Sequence, residues 1–138
     1  MRGRKGGYQI GSAAERSIIG GGTHARHMFA IVFITVRNED IALRIASDLV
    51  GKRLAACANF FPNRSFYRWK GRVETADERI LLLKIGSSDF ALVPKEILAM
   101  HPDEVPCIVK REIDAGHQAY LDWIKESTER PDEDSDRR

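Results

Sequence analysis

Cysteine is scarce in this sequence. Cys57 and Cys107 are the two cysteines among 138 residues, and they form no CxxC pair. A disulfide framework needs several paired cysteines, so the fold must depend on an ordinary hydrophobic core. The sequence also lacks the cysteine and histidine spacing of zinc fingers.

Long apolar runs and catalytic motifs are missing as well. No run approaches the roughly 20 apolar residues of a membrane-spanning helix, and residues 1–27 lack the apolar core of a secretory signal. We therefore expect no membrane partner and a cytoplasmic protein. The sequence contains no GxSxG, HExxH, P-loop or GxGxxG motif. We accordingly expect that the protein is not an enzyme.

Charge of one sign does not dominate, since the formal net charge is +2. Residues 1–27 hold five basic residues against one acidic residue, and residues 129–138 hold five acidic residues against three basic ones. The body between them is neutral. Nucleic-acid binding needs a basic face, so we expect no nucleic-acid partner. The basic head is interpreted as a solvated tail, with weak binding to polyanions as the alternative.

The composition that is present is that of a globular domain, with 43% hydrophobic and 30% charged residues. Residues 1–27 are rich in Gly, Ser and Arg and have no sustained periodicity, which predicts a disordered basic N-terminal extension. The length predicts one domain, which we place at residues 28–128. Residues 129–138 are then a charged C-terminal tail.

The first half of this domain predicts a strand, a helix and a long hairpin. Residues 29–36 form an apolar β-branched run, typical of a strand buried on both faces. Asn38 is the predicted cap of a helix whose apolar residues recur at helical spacing until Gly51. Residues 54–71 and 72–84 are two strand-like runs that meet at Lys70-Gly71, which predicts a tight hairpin turn.

The second half predicts a helix, a strand and a final helix. Ser87 or Ser88 is the predicted cap of the second helix, and Pro94 inside it predicts a kink or a late start. His101-Pro102 should end that helix. Residues 105–113 are the fourth predicted strand, with Pro106 at its start or on an edge, and a last helix starts at about residue 118. The order predicts an α+β, ferredoxin-like βαββαβ sandwich with an extended hairpin and an added C-terminal helix.

Several motifs occur together in one order along the chain. They are Ala55-Ala56-Cys57, Asn59, Pro62, Ser65, Tyr67, Trp69, Gly71, Leu82-Leu83-Lys84, His101-Pro102, Glu104-Val105-Pro106 and Tyr120-Leu121-Asp122-Trp123. This pattern resembles the signature of the CutA divalent-cation-tolerance family over roughly residues 28–128. The resemblance implies a ferredoxin-like subunit that forms a tight homotrimer through its long hairpins. It also implies a link to copper and other divalent ions, without an agreed reaction.

Three residues are candidate metal ligands: Cys57, His101 and Glu104. Thiolate and imidazole together suit Cu(I) or Zn(II), so copper or another divalent cation is the expected cofactor, with no organic cofactor. The alternative for Cys57 is a small buried strand residue among alanines, and the alternative for His101 is a helix cap. Cys107 departs from the family pattern, which commonly has an acidic residue there.

Four further residues are candidates for a ligand cleft: Lys84, Tyr67, Trp69 and Asp103. Lys84 ends an apolar strand and could bind an anion, although such lysines often extend to water. The aromatic pair could stack a ligand or fill a subunit interface. Asp103 stands where the family usually has an aromatic residue. These residues give the alternative function, a trimeric PII-like regulatory module that binds a small anion in clefts between subunits.

Overall fold

The computed structural model describes residues 28–131. The predicted N-terminal extension, 1–27, and most of the predicted tail, 132–138, lie outside the described residues. The elements are β1 (Phe29–Val36), α1 (Glu39–Gly51), β2 (Cys57–Trp69), β3 (Arg72–Gly86), a 3-10 helix (Ser87–Ala91), α2 (Val93–Met100), β4 (Ile108–Glu112) and α3 (Gln118–Thr128). No helix within residues 28–131 is both long and apolar enough to cross a membrane.

The four strands form one sheet in the order β2-β3-β1-β4, with every neighbouring pair antiparallel. β1 and β2 therefore run in the same direction with β3 inserted between them, as do β3 and β4 around β1. Each half of the domain is a βαβ unit split by a strand of the other half. This arrangement confirms the predicted ferredoxin-like α+β fold.

The hydrophobic core lies between one face of the sheet and helices α1 and α2. Alternate residues of β1 and β3 point into it, and the helices add apolar residues at helical spacing. Its fully buried members include Val32, Ile34, Ala42, Ile45, Leu49, Leu81, Leu83, Val93 and Ile97. Burial along β1 alternates between full and partial, so within one subunit only the side that faces the helices is fully buried. The second face is covered less.

Helix α1 begins as predicted, because the Asn38 side chain accepts a hydrogen bond from the Ile41 backbone N–H at 3.0 Å. Its end differs from the prediction. Gly51 is still helical, and the left-handed residue that follows is Arg53, with φ of 60°. Its backbone carbonyl accepts a hydrogen bond from Arg130 Nη1 at 2.8 Å. This contact joins residues 77 positions apart, so the local sequence could not indicate it.

The start of the second helix corrects the serine-cap prediction. Residues Ser87–Ala91 form a separate 3-10 helix, and the Ser87 hydroxyl donates to the Glu112 carboxylate at 2.7 Å. Helix α2 starts only at Val93, with Pro94 in its first turn, where the missing N–H costs no helical bond. The predicted late start is therefore confirmed. His101 ends the helix in an extended conformation, with ψ of 126°, as expected before Pro102.

The β2–β3 hairpin extends well beyond the rest of the sheet. The strands pair without a break from Cys57↔Lys84 to Trp69↔Arg72. Lys70 and Gly71 form the two-residue turn with φ of 49° and 78°, which matches the twist of the strands. β1 pairs with β3 only from Arg79 to Gly86. Residues 72–78 of β3 therefore overhang the sheet by about 23 Å.

Strand β4 is shorter than predicted. It spans Ile108–Glu112 rather than residues 105–113, and Pro106 precedes it. Antiparallel pairing with β1 covers only these five positions. A proline has no N–H for the ladder, which fits its place outside the strand. The predicted start of the last helix near residue 118 is confirmed.

Candidate functional site

The sheet face opposite α1 and α2 is only partly covered, and we call it the open face. Strand alternation and the pairing register place on it one set of residues from all four strands. In the body of the sheet these include Phe29, Ile31, Phe33, Thr35, Cys57, Asn59, Phe61, Ile80, Leu82, Lys84, Val109 and Arg111, and along the hairpin the same face continues with Asn63, Tyr67, Trp69, Arg72 and Glu78. The first turn of α3 reaches this face beside Cys57. One group of polar residues of the open face lies there.

Four side chains form this polar group, which we call the Lys84 cluster: Cys57, Asn59, Lys84 and Tyr120. Cys57 and Lys84 are directly opposite each other on β2 and β3. The Lys84 ammonium donates a hydrogen bond to Asn59 Oδ1. Cys57 Sγ lies 4.0 Å from the same oxygen and 3.6 Å from the Tyr120 hydroxyl. The cluster thus combines a thiol, an amide, an ammonium and a phenol.

The Tyr120 phenol is held in its neutral form. Its hydrogen bond with Cys57 is the main cause, and burial and the negative charge of the ionised Cys57 sulfur add to it, so the pKa rises to about 12. The Trp123 ring stacks on Tyr120 with centroids 5.5 Å apart and planes at 27°. Both rings stay partly exposed. At neutral pH the cluster therefore offers a hydroxyl donor and an aromatic surface beside the Lys84 cation.

His101 and Asp103 lie near the C-terminal end of β1, away from the Lys84 cluster. His101 is only 8% exposed, and its Nε2 donates to the Thr35 carbonyl at 2.7 Å. Its Nδ1 accepts the Asp103 backbone N–H at 3.1 Å. A carbonyl only accepts and an amide N–H only donates, so the ring is neutral with its proton on Nε2. Asp103 also forms an ion pair with Arg37 at 3.0 Å.

One subunit does not bring the three candidate metal ligands together. Cys57 is opposite Lys84 on β3. His101 contacts Thr35, and Thr35 is opposite Ile80 on the same strand. Four residues of strand separate Ile80 from Lys84, or about 13 Å. Glu104 is exposed on the connection before β4. Within residues 28–131 no group of three or more His, Cys, Asp or Glu is placed to hold a metal ion. A metal site from these residues stays a prediction.

The four cleft candidates fall in three places. Lys84 belongs to the Lys84 cluster, and Asp103 lies beside His101. Tyr67 and Trp69 are near the hairpin tip, where both rings are exposed and Lys70 Nζ lies 5.7 Å from the Trp69 centroid. Ten residues of extended strand separate Cys57 from Tyr67, or about 33 Å. A cleft that joins all four therefore stays a prediction that needs neighbouring subunits.

Sequence reasoning missed Asn59 and Tyr120 as site residues. Asn59 could have been found, because a residue two positions after Cys57 on a strand shares its face. Tyr120 carried no such signal. It meets Cys57 across 63 positions, and only the docking of α3 brings the two side chains together. Cys107, by contrast, is an exposed free thiol before β4, away from the cluster.

Comparison with known proteins shows the relationships of this chain. Residues 30–127 match the model of the family described as CutA1 divalent ion tolerance protein. The Divalent-cation tolerance protein CutA of Archaeoglobus fulgidus is 42% identical over 102 residues, which cover 74% of this chain and all of that protein. The human Protein CutA is 37% identical over 98 residues, covering 70% of this chain and 55% of that protein.

Solved structures agree with this relationship. The structure described as the periplasmic divalent cation tolerance protein CutA from Archaeoglobus fulgidus superposes with a TM-score of 0.73 and covers 74% of this chain and 100% of its own. The structure described as the divalent cation tolerance protein Cut A1 of Thermus thermophilus gives a TM-score of 0.72 at 43% identity, with the same coverage. Fold, motif order and sequence identity point the same way: the chain belongs to the CutA1 divalent ion tolerance protein family.

Proposed function

We propose that this protein is a non-enzymatic homotrimer that binds metal ions, copper among them, and contributes to tolerance of divalent cations. Family membership supports the role, since relatives carry the name divalent-cation tolerance protein. One observation carries the assembly: the long hairpin overhangs the sheet and exposes large apolar side chains. We also propose the cytoplasm as its location, which fractionation of cells that express the tagged full chain would test.

The hairpin needs a partner surface for a physical reason. Phe66 is 72% exposed and Val73 67% exposed, and Tyr67 and Trp69 are exposed beside them. Soluble monomers seldom display such a group on one projecting element. β2 and β4 are also the two edges of the sheet, and free edges favour pairing with another chain. Subunits that pack hairpin against hairpin would cover both features.

Cys57 is the better supported of the two candidate soft ligands. Its thiol lies on the open face, and Asn59 Oδ1, 4.0 Å from the sulfur, offers a second atom that can coordinate a metal ion. The His101 ring already uses both nitrogens in hydrogen bonds to the protein. It would have to break one of these bonds to take a metal. The proposed site is therefore centred on Cys57, with further ligands from a neighbouring subunit.

Metal titration of single variants tests the site. Cys57→Ala should weaken Cu(I) binding at least about tenfold, since a thiolate is the preferred ligand for this ion, while the trimer persists. His101→Ala should lower stability but keep the affinity, and Cys107→Ala is the matched thiol control. Unchanged affinity in both Cys57→Ala and His101→Ala would remove the metal site from the proposal.

A second candidate function is supported by the Lys84 cluster itself. The Lys84 ammonium, the Asn59 amide, the neutral Tyr120 hydroxyl and the stacked Trp123 ring are suited to a small anion with an apolar part. In this PII-like alternative, the ligand would sit between subunits and act as a signal. Binding of a panel of small carboxylates and phosphates, measured by calorimetry, would separate it from metal binding.

Two lysine variants sharpen that comparison. Lys84→Met should abolish anion binding and leave Cu(I) binding intact if the cluster is an anion site. Lys95→Met is the control, because Lys95 is exposed on α2, on the opposite side of the sheet. An anion affinity that is equal in both variants would contradict the regulatory alternative.

A further inference from the structure

The middle of the hairpin carries a polar pair that one subunit leaves incomplete. Asn63 on β2 and Glu78 on β3 are directly opposite each other. Glu78 is only 9% exposed, although it lies on the overhanging part of the hairpin. The Asn63 amide nitrogen donates to Ser65 Oγ at 2.9 Å, while Asn63 Oδ1 is buried and accepts no hydrogen bond within residues 28–131.

The Glu78 carboxylate also lacks a partner in the described part of the chain. Within residues 28–131 the carboxylate forms no ion pair; the backbone of Glu78 pairs with β2, and its carbonyl accepts from Arg79 Nη1 at 3.1 Å. Among these residues Glu78 is a nearly buried acidic residue with no cation beside its carboxylate, and Asn63 Oδ1 next to it is a buried acceptor with no donor, which is unfavourable. Two acceptors, Glu78 and Asn63 Oδ1, thus share one short stretch without a donor.

The nearest arginines of the hairpin do not fill this place. Arg64 and Arg79 lie on the opposite face, because successive strand residues alternate. Arg64 pairs with Asp77 at 3.0 Å, and Arg79 is held on the Glu78 carbonyl. The open face itself has two exposed arginines, Arg72 at the hairpin tip and Arg111 on the edge strand β4. Neither forms an ion pair within residues 28–131.

We propose that Glu78 and Asn63 form a docking point for an arginine of a second copy of this chain, Arg72 or Arg111. The charges are complementary, and the same face carries the exposed Phe61, Tyr67 and Trp69 that a second copy would cover. A guanidinium has several donors in a fixed plane, so one such group can serve both the carboxylate and the amide oxygen. The contact fixes the register in which the hairpins pack. It rests on the homotrimer of the proposed function.

Subunit exchange between labelled and unlabelled full-length protein tests this contact. Glu78→Gln keeps the shape of the side chain and removes its charge, so exchange should become about tenfold faster or more. Asp77→Asn is the matched control, because Asp77 is the neighbouring acid on the exposed, opposite face. Arg72→Glu or Arg111→Glu should speed exchange as Glu78→Gln does. Combining the responsible substitution with Glu78→Arg should restore slow exchange.

The outcomes separate this contact from the assembly itself. A parent protein that is monomeric at micromolar concentration would refute the homotrimer, and the contact with it. A trimeric parent whose Glu78→Gln variant exchanges no faster than Asp77→Asn refutes the contact alone. The contact is also refuted if slow exchange is restored neither by Glu78→Arg with Arg72→Glu nor by Glu78→Arg with Arg111→Glu. If EDTA alone speeds exchange of the parent as much as Glu78→Gln does, a metal ion occupies the place, and the arginine proposal is wrong.

Discussion

His101 and Cys57 are both potential metal ligands by residue type, but their surroundings differ. His101 is buried; its Nε2 donates a hydrogen bond to the Thr35 carbonyl, and its Nδ1 accepts one from the Asp103 N–H. It therefore joins the end of α2 to β1 and the connection that follows. Among residues 28–131, the Cys57 thiol has weak partners, an amide oxygen and a phenol, at sulfur distances of 4.0 and 3.6 Å. Its thiol is the more available of the two for a metal or a reagent.

Tyr120 should titrate at an unusually high pH. Its phenol pKa is raised to about 12 by the contact with Cys57 and by burial, above the usual value of about 10. The folded state thus holds this proton more tightly than the unfolded state. The stability gained from it is complete below pH 10 and is lost as the pH rises toward 12.

Ultraviolet absorbance near the tyrosinate band measures this titration. One tyrosine should have a midpoint near pH 12, and Tyr120→Phe should remove that component. Cys57→Ala should move the midpoint down toward pH 10, because the main cause of the shift is gone. A midpoint that stays in place without the thiol would show that burial alone raises the pKa.

The hairpin turn is the element whose geometry depends most on residue type. Lys70 and Gly71 both have positive φ, as a two-residue type I′ hairpin turn requires. Glycine takes this conformation freely, while a residue with a Cβ is strained there. No atom lies within 4 Å of a Cβ placed on Gly71, so the strain of a larger residue would be in the backbone alone.

Gly71→Ala should therefore destabilise the protein by about 1 kcal/mol. Gly51→Ala is a suitable control, because Gly51 is helical with ordinary φ and also has free space for a Cβ. It should be neutral or slightly stabilising, since alanine favours the helix. Chemical denaturation of both variants provides the comparison. Equal losses in the two would mean that the turn is not strained by a side chain.

At the scale of the whole molecule, the exposed aromatic residues of the hairpin predict the assembly. Burying one aromatic side chain contributes about 2–3 kcal/mol, and a three-fold assembly would bury it three times. Trp69 is 37% exposed in the isolated subunit. Trp69→Ala should therefore dissociate the trimer or lower its thermal stability sharply. Light scattering and thermal unfolding at micromolar concentration measure both effects.

Lys95→Ala is the control for this change. Lys95 is exposed on α2, as expected from its place on the helix, so its loss should alter neither the mass nor the stability. A Trp69→Ala trimer as stable as the parent would show that the hairpin does not organise the assembly.

Removal of residues 1–27 should leave the folded body intact. These residues have a composition without a core-forming pattern, and the family match starts at residue 30. A chain that begins at Met28 should keep its number of subunits, measured by light scattering, and its melting temperature. A loss of several degrees on truncation would mean that the basic head packs on the domain.

The sequence by itself determined the elements and their order. The apolar β-branched run marked β1, Asn38 and the helical spacing of the apolar residues that follow it marked α1, and Lys70-Gly71 marked the turn, because these signals act between neighbours in the chain. The predicted element boundaries that were wrong are those determined by contacts with residues distant in the sequence. Ser87 does not cap α2, because its hydroxyl donates to Glu112, 25 positions away. Strand β4 extends only over the positions that pair with β1.

Only the tertiary structure decided which candidate residues meet. Pairing register set Lys84 opposite Cys57, and the docking of α3 added Tyr120. The same packing turned both His101 nitrogens toward the backbone, and it left Asn63 Oδ1 without a donor beside the nearly buried Glu78 in the described part of the chain. Such contacts join residues distant in sequence, and their energies depend on burial and distance, which no local pattern of residues encodes.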